Sequence, residues 1–323
     1  MNGATTPRVL VVGVGAVGQV VAACCHAAGA TVALFSRRAD RAKTLSVRVW
    51  PLSGPRRGDE LGGDFDLVGV GDVLGGYDLV VLAVPAPLPP RDDVLWRVVD
   101  ASADAVVVSF VVGDDAPSRF VVGNVGFLAF AAPLPGERAS PPHIAAYFPP
   151  LSPSAFAGAR ASEVVALLRR GGLPAVVDDS AARRGAFLAA MVVPVVLALR
   201  AVGYSLGSLA LRRRRECAAA VDAASRVVAV RRGRPPRIAS LLSSPAVVGV
   251  VFAGAALVDR VGLLPMSLQT YLHVHFEKTL AQSRQLLAGF IDEGVAAGID
   301  IAALRALQEM QSRCEPSGAQ EGA

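Results

Sequence analysis

Three glycines, Gly13, Gly15 and Gly18, follow a short apolar run, Arg8 to Val12, and precede an Ala-rich segment from Gln19 to Ala28. Glycine has no Cβ, so this spacing suits a tight turn at Gly13, a close ligand approach at Gly15 and close helix packing at Gly18. With Val14, Ala16 and Val17 between them, these residues read as strand, turn and helix, with free N–H groups at the helix N-terminus facing a pyrophosphate. That is the chemistry of dinucleotide binding. After the next apolar run, Thr31 to Phe35, the chain offers Ser36-Arg37-Arg38 where an NAD-specific turn would place an acidic residue on the ribose 2′-hydroxyl. A guanidinium fork at Arg37 suits a 2′-phosphate, so the expected cofactor is NADP(H); a solvated loop would show the same two arginines. Gly13, Val14, Gly15, Ala16, Val17, Gly18, Ser36 and Arg37 are its expected binding residues.

A second set lies near the C-terminus. Tyr271, His275, Lys278, Gln282 and Gln285 recur at steps of three and four, one stripe of the helix expected over Ser267 to Ala297. Leu272, Phe276, Leu280, Leu287 and Phe290 fall on another side. Lys278 is one of only two lysines, and a cationic amine can protonate a developing alkoxide, a role His275 could share. A solvated or subunit-facing stripe would show the same spacing.

The elements that must hold these groups follow from periodicity. Leu79 to Val84 and Ala105 to Phe110 are continuous apolar runs, as in parallel strands covered on both faces. Further strands are expected within Phe120 to Gly136, His143 to Phe148 and Leu173 to Val177, with helices over Val94 to Val99 and Ala155 to Gly171 and a loop over Pro51 to Gly63. From Ser180 onward the pattern turns helical: Arg184 to Val202, Leu206 to Val230, Pro236 to Leu242, Pro245 to Val261, Ser267 to Ala297 and Ile301 to Ser312. The expected fold is α/β, an N-terminal Rossmann doubly wound sheet over residues 1–180 followed by an all-helical substrate or dimerisation domain over 181–313. Residues 314–323 read as a frayed tail. The cleft between the domains is the expected active site.

The 323 residues allow two ordinary domains, and 53% hydrophobic content with 18% charge lies on the apolar side of normal. Arginine supplies nearly all the basic charge behind the net +5. The run Arg212 to Arg215 precedes an Ala-rich helix and reads as its solvated face, and without aromatic platforms no nucleic-acid partner is expected. Cys24, Cys25, Cys217 and Cys314 have no metal or disulfide spacing, so reduced thiols and no metal are expected. The longest apolar runs, Ala186 to Leu199 and Pro245 to Val258, reach about 14 residues against the roughly 20 of a membrane span. With no signal peptide read at the N-terminus, a cytoplasmic protein without a membrane partner is expected.

On Gly13-Val14-Gly15-Ala16-Val17-Gly18, Ser36-Arg37-Arg38, the strand Asp78 to Val84, and Gly123 to Gly136 followed by His143, the chain resembles the ketopantoate reductase family. More broadly it resembles the 6-phosphogluconate-dehydrogenase-like reductases. Tyr271 to Lys278, continuing through Gln282-Ser283-Arg284, looks like a motif of a divergent branch. The resemblance implies reduction of a 2-keto group with NADPH. It also implies a catalytic lysine and two asparagines on the first long helix of the second domain, and Arg184 to Val202 holds neither type. The family's Asn-Gly is missing after Val108 to Val111, Pro85 replaces a lysine, and the family's glutamate falls near Ser283. The expected function is an NADPH-dependent oxidoreductase of a small carbonyl substrate, 2-keto acid-like, with Lys278 and His275 as catalytic candidates and a homodimer compatible with the apolar helical domain. The alternative is a catalytically lapsed NADP(H)-binding regulator or subunit.

Overall fold

The computed structural model describes residues 6–37, 43–69, 72, 75–85, 88, 90, 93–110, 120–137 and 143–314. The chain divides into two compact units, Met1–Ala182 and Arg183–Ala323.

The first unit is built on one sheet. Its strands are β1 (Arg8–Val12), β2 (Thr31–Phe35), β3 (Thr44–Pro51), β4 (Leu61–Val68), β5 (Leu79–Leu82), β6 (Val106–Ser109), β7 (Phe120–Asn124), β8 (Leu128–Ala132), β9 (His143–Tyr147), β10 (Ser154–Ala157) and β11 (Ala175–Val177). They lie in the order β11-β10-β7-β6-β5-β1-β2-β4-β3-β9-β8. Within it, β4-β2-β1-β5-β6-β7 is parallel throughout, with Val9 opposite both Val32 and Leu79. This is the strand order of a dinucleotide-binding fold. Helices α1 (Ala16–Ala27), α2 (Val94–Ala101) and α3 (Ala161–Arg170) cover the sheet. Alternate residues of a strand point to opposite faces. Val9 and Val11 accordingly join the core that holds α1 and α3, while Leu10 and Val12 join the one that holds α2. The sheet is doubly wound.

Two segments differ from the pattern expected of the sequence. Residues 44–51 and 61–68 form an antiparallel pair around a loop shorter than the expected 51–63. The segment 155–171 opens as strand β10, antiparallel to β7 and parallel to β11, before α3 begins.

The second unit is helical. It comprises α4 (Ala181–Arg200, which begins at the unit boundary), α5 (Leu206–Ser208), a π-helical turn at Leu209–Arg213, α6 (Arg214–Arg232), α7 (Arg237–Leu242), α8 (Pro245–Arg260), α9 (Leu268–Lys278), α10 (Leu280–Ala296) and α11 (Ala302–Arg313). Small residues on α6, among them Ala218, Ala220, Ala223 and Ala224, are fully buried and let α8, α10 and α11 pack closely on it. Of the arginine run, Arg212, Arg214 and Arg215 are exposed, and Arg213 pairs with Glu216 at 3.0 Å. Helix α4 exceeds the apolar run read in the sequence: at 20 residues it is long and apolar enough to cross a membrane by composition. Its Phe187, Ala190 and Leu197 belong to the core of the helical unit.

Candidate functional site

Strand β1 delivers the chain into the glycine turn. Gly13 has φ +108°, and its amide bonds the carbonyl of Phe35 at 3.3 Å. A Cβ there would stand 2.5 Å from the carbonyl oxygen of Ala83. Gly15 is the N-cap of α1, extended at φ −70° and ψ 176°, with nothing within 4 Å of where its Cβ would be. The first turn of α1 carries no acidic residue, and its leading amides have no partner within the helix. Open space at position 15 beside these donors fits a pyrophosphate, and the partial positive charge of the helix end favours it. Gln19 was not foreseen: its Nε2 donates to the carbonyl of Val14 at 2.8 Å and clamps the turn.

At the end of β2, Ser36 is half-buried and its amide bonds Val68. The exposed Arg37 makes an ion pair with Asp93, its Nη2 at 2.8 and 2.9 Å from the two carboxylate oxygens. Asp93 is the N-cap of α2 and also accepts from the amide of Leu95 at 2.9 Å. An Asp before an apolar helical segment is a capping signal legible in sequence. Its pairing with a residue 56 positions away is not. Arg38 lies outside the described residues.

In the helical unit, the stripe expected along one helix is divided. The helix ends at Lys278, and Thr279 (φ −106°, ψ 15°) separates α9 from α10, its hydroxyl bonding the carbonyl of His275. A hydroxyl that bonds the carbonyl four residues back slightly destabilises and often bends a helix. Tyr271, His275 and Lys278 therefore share α9, whereas Gln282 and Gln285 belong to α10. Tyr271 is buried and stacks on His275, ring centroids 5.3 Å apart, and His275 meets Phe276 edge-on at 4.9 Å. Burial, and secondarily the Lys278 ammonium, hold the His275 imidazole below its ordinary pKa. Burial pushes the Tyr271 phenol up. Lys278 is exposed, at a helix C-terminus where a cation is favoured.

Beside the stripe runs a polar chain that periodicity did not reveal. Tyr204, buried at φ +60°, stacks on His273 with centroids 5.0 Å apart. Burial and the nearby Glu277 carboxylate raise its phenol. Arg200 Nε reaches Glu277 at 3.2 Å and its Nη1 reaches Gln311 Oε1 at 3.3 Å, while Gln311 Nε2 donates to the carbonyl of Leu197 at 2.9 Å. Among the described residues no cluster of His, Cys, Asp or Glu could hold a metal ion.

No protein-family model matches the chain, and no curated protein sequence does. Solved structures do. A D-mandelate dehydrogenase in ternary complex with NADH and anilino(oxo)acetate shares the fold at TM-score 0.65 and 14% identity, over 95% of this chain and 97% of that one. The 2-dehydropantoate 2-reductase of Porphyromonas gingivalis W83 does so at TM-score 0.61 and 13% identity, over 95% and 100%. A dimeric ketopantoate reductase of Staphylococcus aureus gives TM-score 0.60 and 13% identity, again over 95% and 100%. The chain thus has the fold of the ketopantoate reductases and of D-mandelate dehydrogenase.

Proposed function

We propose that the protein is an NADPH-dependent reductase of a small carbonyl compound, 2-keto acid-like. The observation that carries this reading is the turn at Gly13, Gly15 and Gly18, with its open space at position 15, followed by Arg37 and no acidic residue at the end of β2. The substrate class is supported by the neighbours of like fold, one solved with NADH and anilino(oxo)acetate and others described as 2-dehydropantoate 2-reductases. The amides of the first turn of α1 hold the pyrophosphate, and Arg37 pairs with the 2′-phosphate. When bound, the dinucleotide supplies the hydride. Lys278 supplies the proton to the carbonyl oxygen as it becomes an alkoxide. His275, whose imidazole burial and Lys278 hold below its ordinary pKa, hydrogen-bonds the substrate beside that acid.

The test is a fluorescence titration with NADPH and NADH, then a screen of 2-keto acids and ketones for NADPH oxidation. NADPH should bind more tightly than NADH, and Lys278→Ala should lower kcat by about 10²–10⁴ with cofactor affinity intact. Parental kcat in a folded Lys278→Ala variant rules out the lysine as acid. One observation favours a second reading, a lapsed enzyme that binds NADP(H) as a regulator or subunit: α4 carries neither lysine nor asparagine. Tight binding with no turnover on any carbonyl would select it. We further propose a homodimer, supported by the apolar residues Val250, Leu257 and Leu263 exposed on and just after α8. Light scattering on the purified protein decides its mass.

A further inference from the structure

We propose that Asp93 is a specificity-determining residue for the dinucleotide: its carboxylate, paired with Arg37, weakens recognition of a 2′-phosphate and brings the affinities for NADPH and NADH closer together. This rests on the assignment of Arg37 to the 2′-phosphate.

The pair is asymmetric. Asp93 is pinned on the N-terminus of α2, where its Oδ1 accepts from the Leu95 amide at 2.9 Å. Its own amide bonds the carbonyl of Pro90 and its carbonyl accepts from the amide of Trp96, each at 3.0 Å. The Asp93 side chain is 20% exposed, that of Arg37 59%. The acid is therefore fixed and the guanidinium is the group that swings. Nη2 alone spans both carboxylate oxygens, at 2.8 and 2.9 Å, and among the described residues Nε and Nη1 make no hydrogen bond. A phosphate can be bound through those two nitrogens, but the anchored carboxylate then stands beside a dianion.

Like charges so placed repel, and the alternative, releasing Arg37 from Asp93, sacrifices the ion pair. Both routes reduce what Arg37 contributes to the 2′-phosphate, and neither touches a ribose that carries only a hydroxyl. Since the pair is partly exposed, solvent and salt damp the effect to several-fold rather than many orders of magnitude.

Asp93→Asn separates charge from structure, because Asn caps a helix as well as Asp. We expect its Kd for NADPH to fall about three- to tenfold while that for NADH stays within about twofold, the gain shrinking as salt is raised. In the Arg37→Ala background Asp93→Asn should yield a much smaller gain. Asp93→Ser, a second uncharged cap, should repeat the result if the Asn variant melts below the parent. Unchanged or weaker NADPH binding in a folded Asp93→Asn protein, with Arg37→Ala still weakening NADPH, overturns the role of Asp93 alone. If Arg37→Ala leaves NADPH affinity untouched, the assignment of Arg37 falls as well.

Discussion

A Cβ placed on Gly18 would fall on the carbonyl oxygen of Gly13, so α1 can follow β1 this closely only because position 18 has no side chain. Gly15, between them, meets nothing within 4 Å and has an ordinary negative φ. The three glycines therefore serve separable purposes: Gly13 and Gly18 build the turn, and Gly15 leaves room above it.

Gly15→Ala should accordingly leave the melting temperature unchanged and weaken NADPH by about tenfold or more, since its methyl occupies the ligand's space. Gly18→Ala should lose binding and also about 1–3 kcal/mol of stability, the usual effect of overpacking. Thermal melting paired with fluorescence titration separates the two. A Gly15→Ala protein that binds NADPH like the parent contradicts the assignment of the site.

His275 should leave a signature in the pH dependence of stability. Its folded pKa is lowered by burial and by Lys278, so the unfolded chain binds more protons than the native one around and below the ordinary value of 6.5. Stability contributed by the neutral imidazole is then fully present above 6.5 and is lost as pH falls through that value toward the lowered folded pKa. Urea unfolding of the parent and of His275→Gln at pH 8 and pH 5 measures this. The parent should lose more stability than the variant on acidification, and parallel losses would refute a lowered pKa at His275.

How much of this was legible in the chain depends on whether the determinant was local. The β1, turn, α1 unit was readable because its glycine spacing has one compact solution. Strand β4 was not, since Gly62, Gly63, Asp64 and Asp66 are residues that strands avoid, and its extended form comes from pairing with β2 and β3. Strand β10 is not legible locally, because Ser154 to Ala157 becomes extended only between β7 and β11. Apolar periodicity runs unbroken across Thr279, where the backbone leaves helical geometry and divides the expected long helix. The cap at Asp93 was written locally, whereas its hold on Arg37 arises only when β2 and α2 are brought together.

Gln311 is buried and joins Arg200 to the carbonyl of Leu197. Gln311→Leu should destabilise the protein by about 1–3 kcal/mol, because a buried polar group loses its partner. Glu277→Gln, at the exposed end of the same chain, should stay below about 1 kcal/mol. Chemical denaturation ranks the two, and a reversed order would show that the buried end of the network contributes little.

Thiol reactivity should report on the fold. Burial pushes the thiols of Cys24 and Cys217 up to about 12 and raises Cys25 as well, whereas Cys314 is exposed. A disulfide reagent at pH 8 should label Cys314 quickly in the native protein and the other three only on unfolding. Cys314→Ser should abolish the fast phase. Rapid labelling of a second cysteine would mean that one of the cores opens readily.

The parallel pairing of β3 with β9, fastened by Ser53 and Phe148 across 95 residues of chain, also orders events during synthesis. Until residues 143–147 leave the ribosome, one edge of β3 has no strand beside it, and an open edge invites pairing with other nascent chains. Closing so long a loop is slow compared with forming the β3–β4 hairpin. The N-terminal unit is therefore exposed to misassembly for most of its own translation, and fragments ending before Tyr147 should recover as aggregates where a fragment carrying the complete sheet does not.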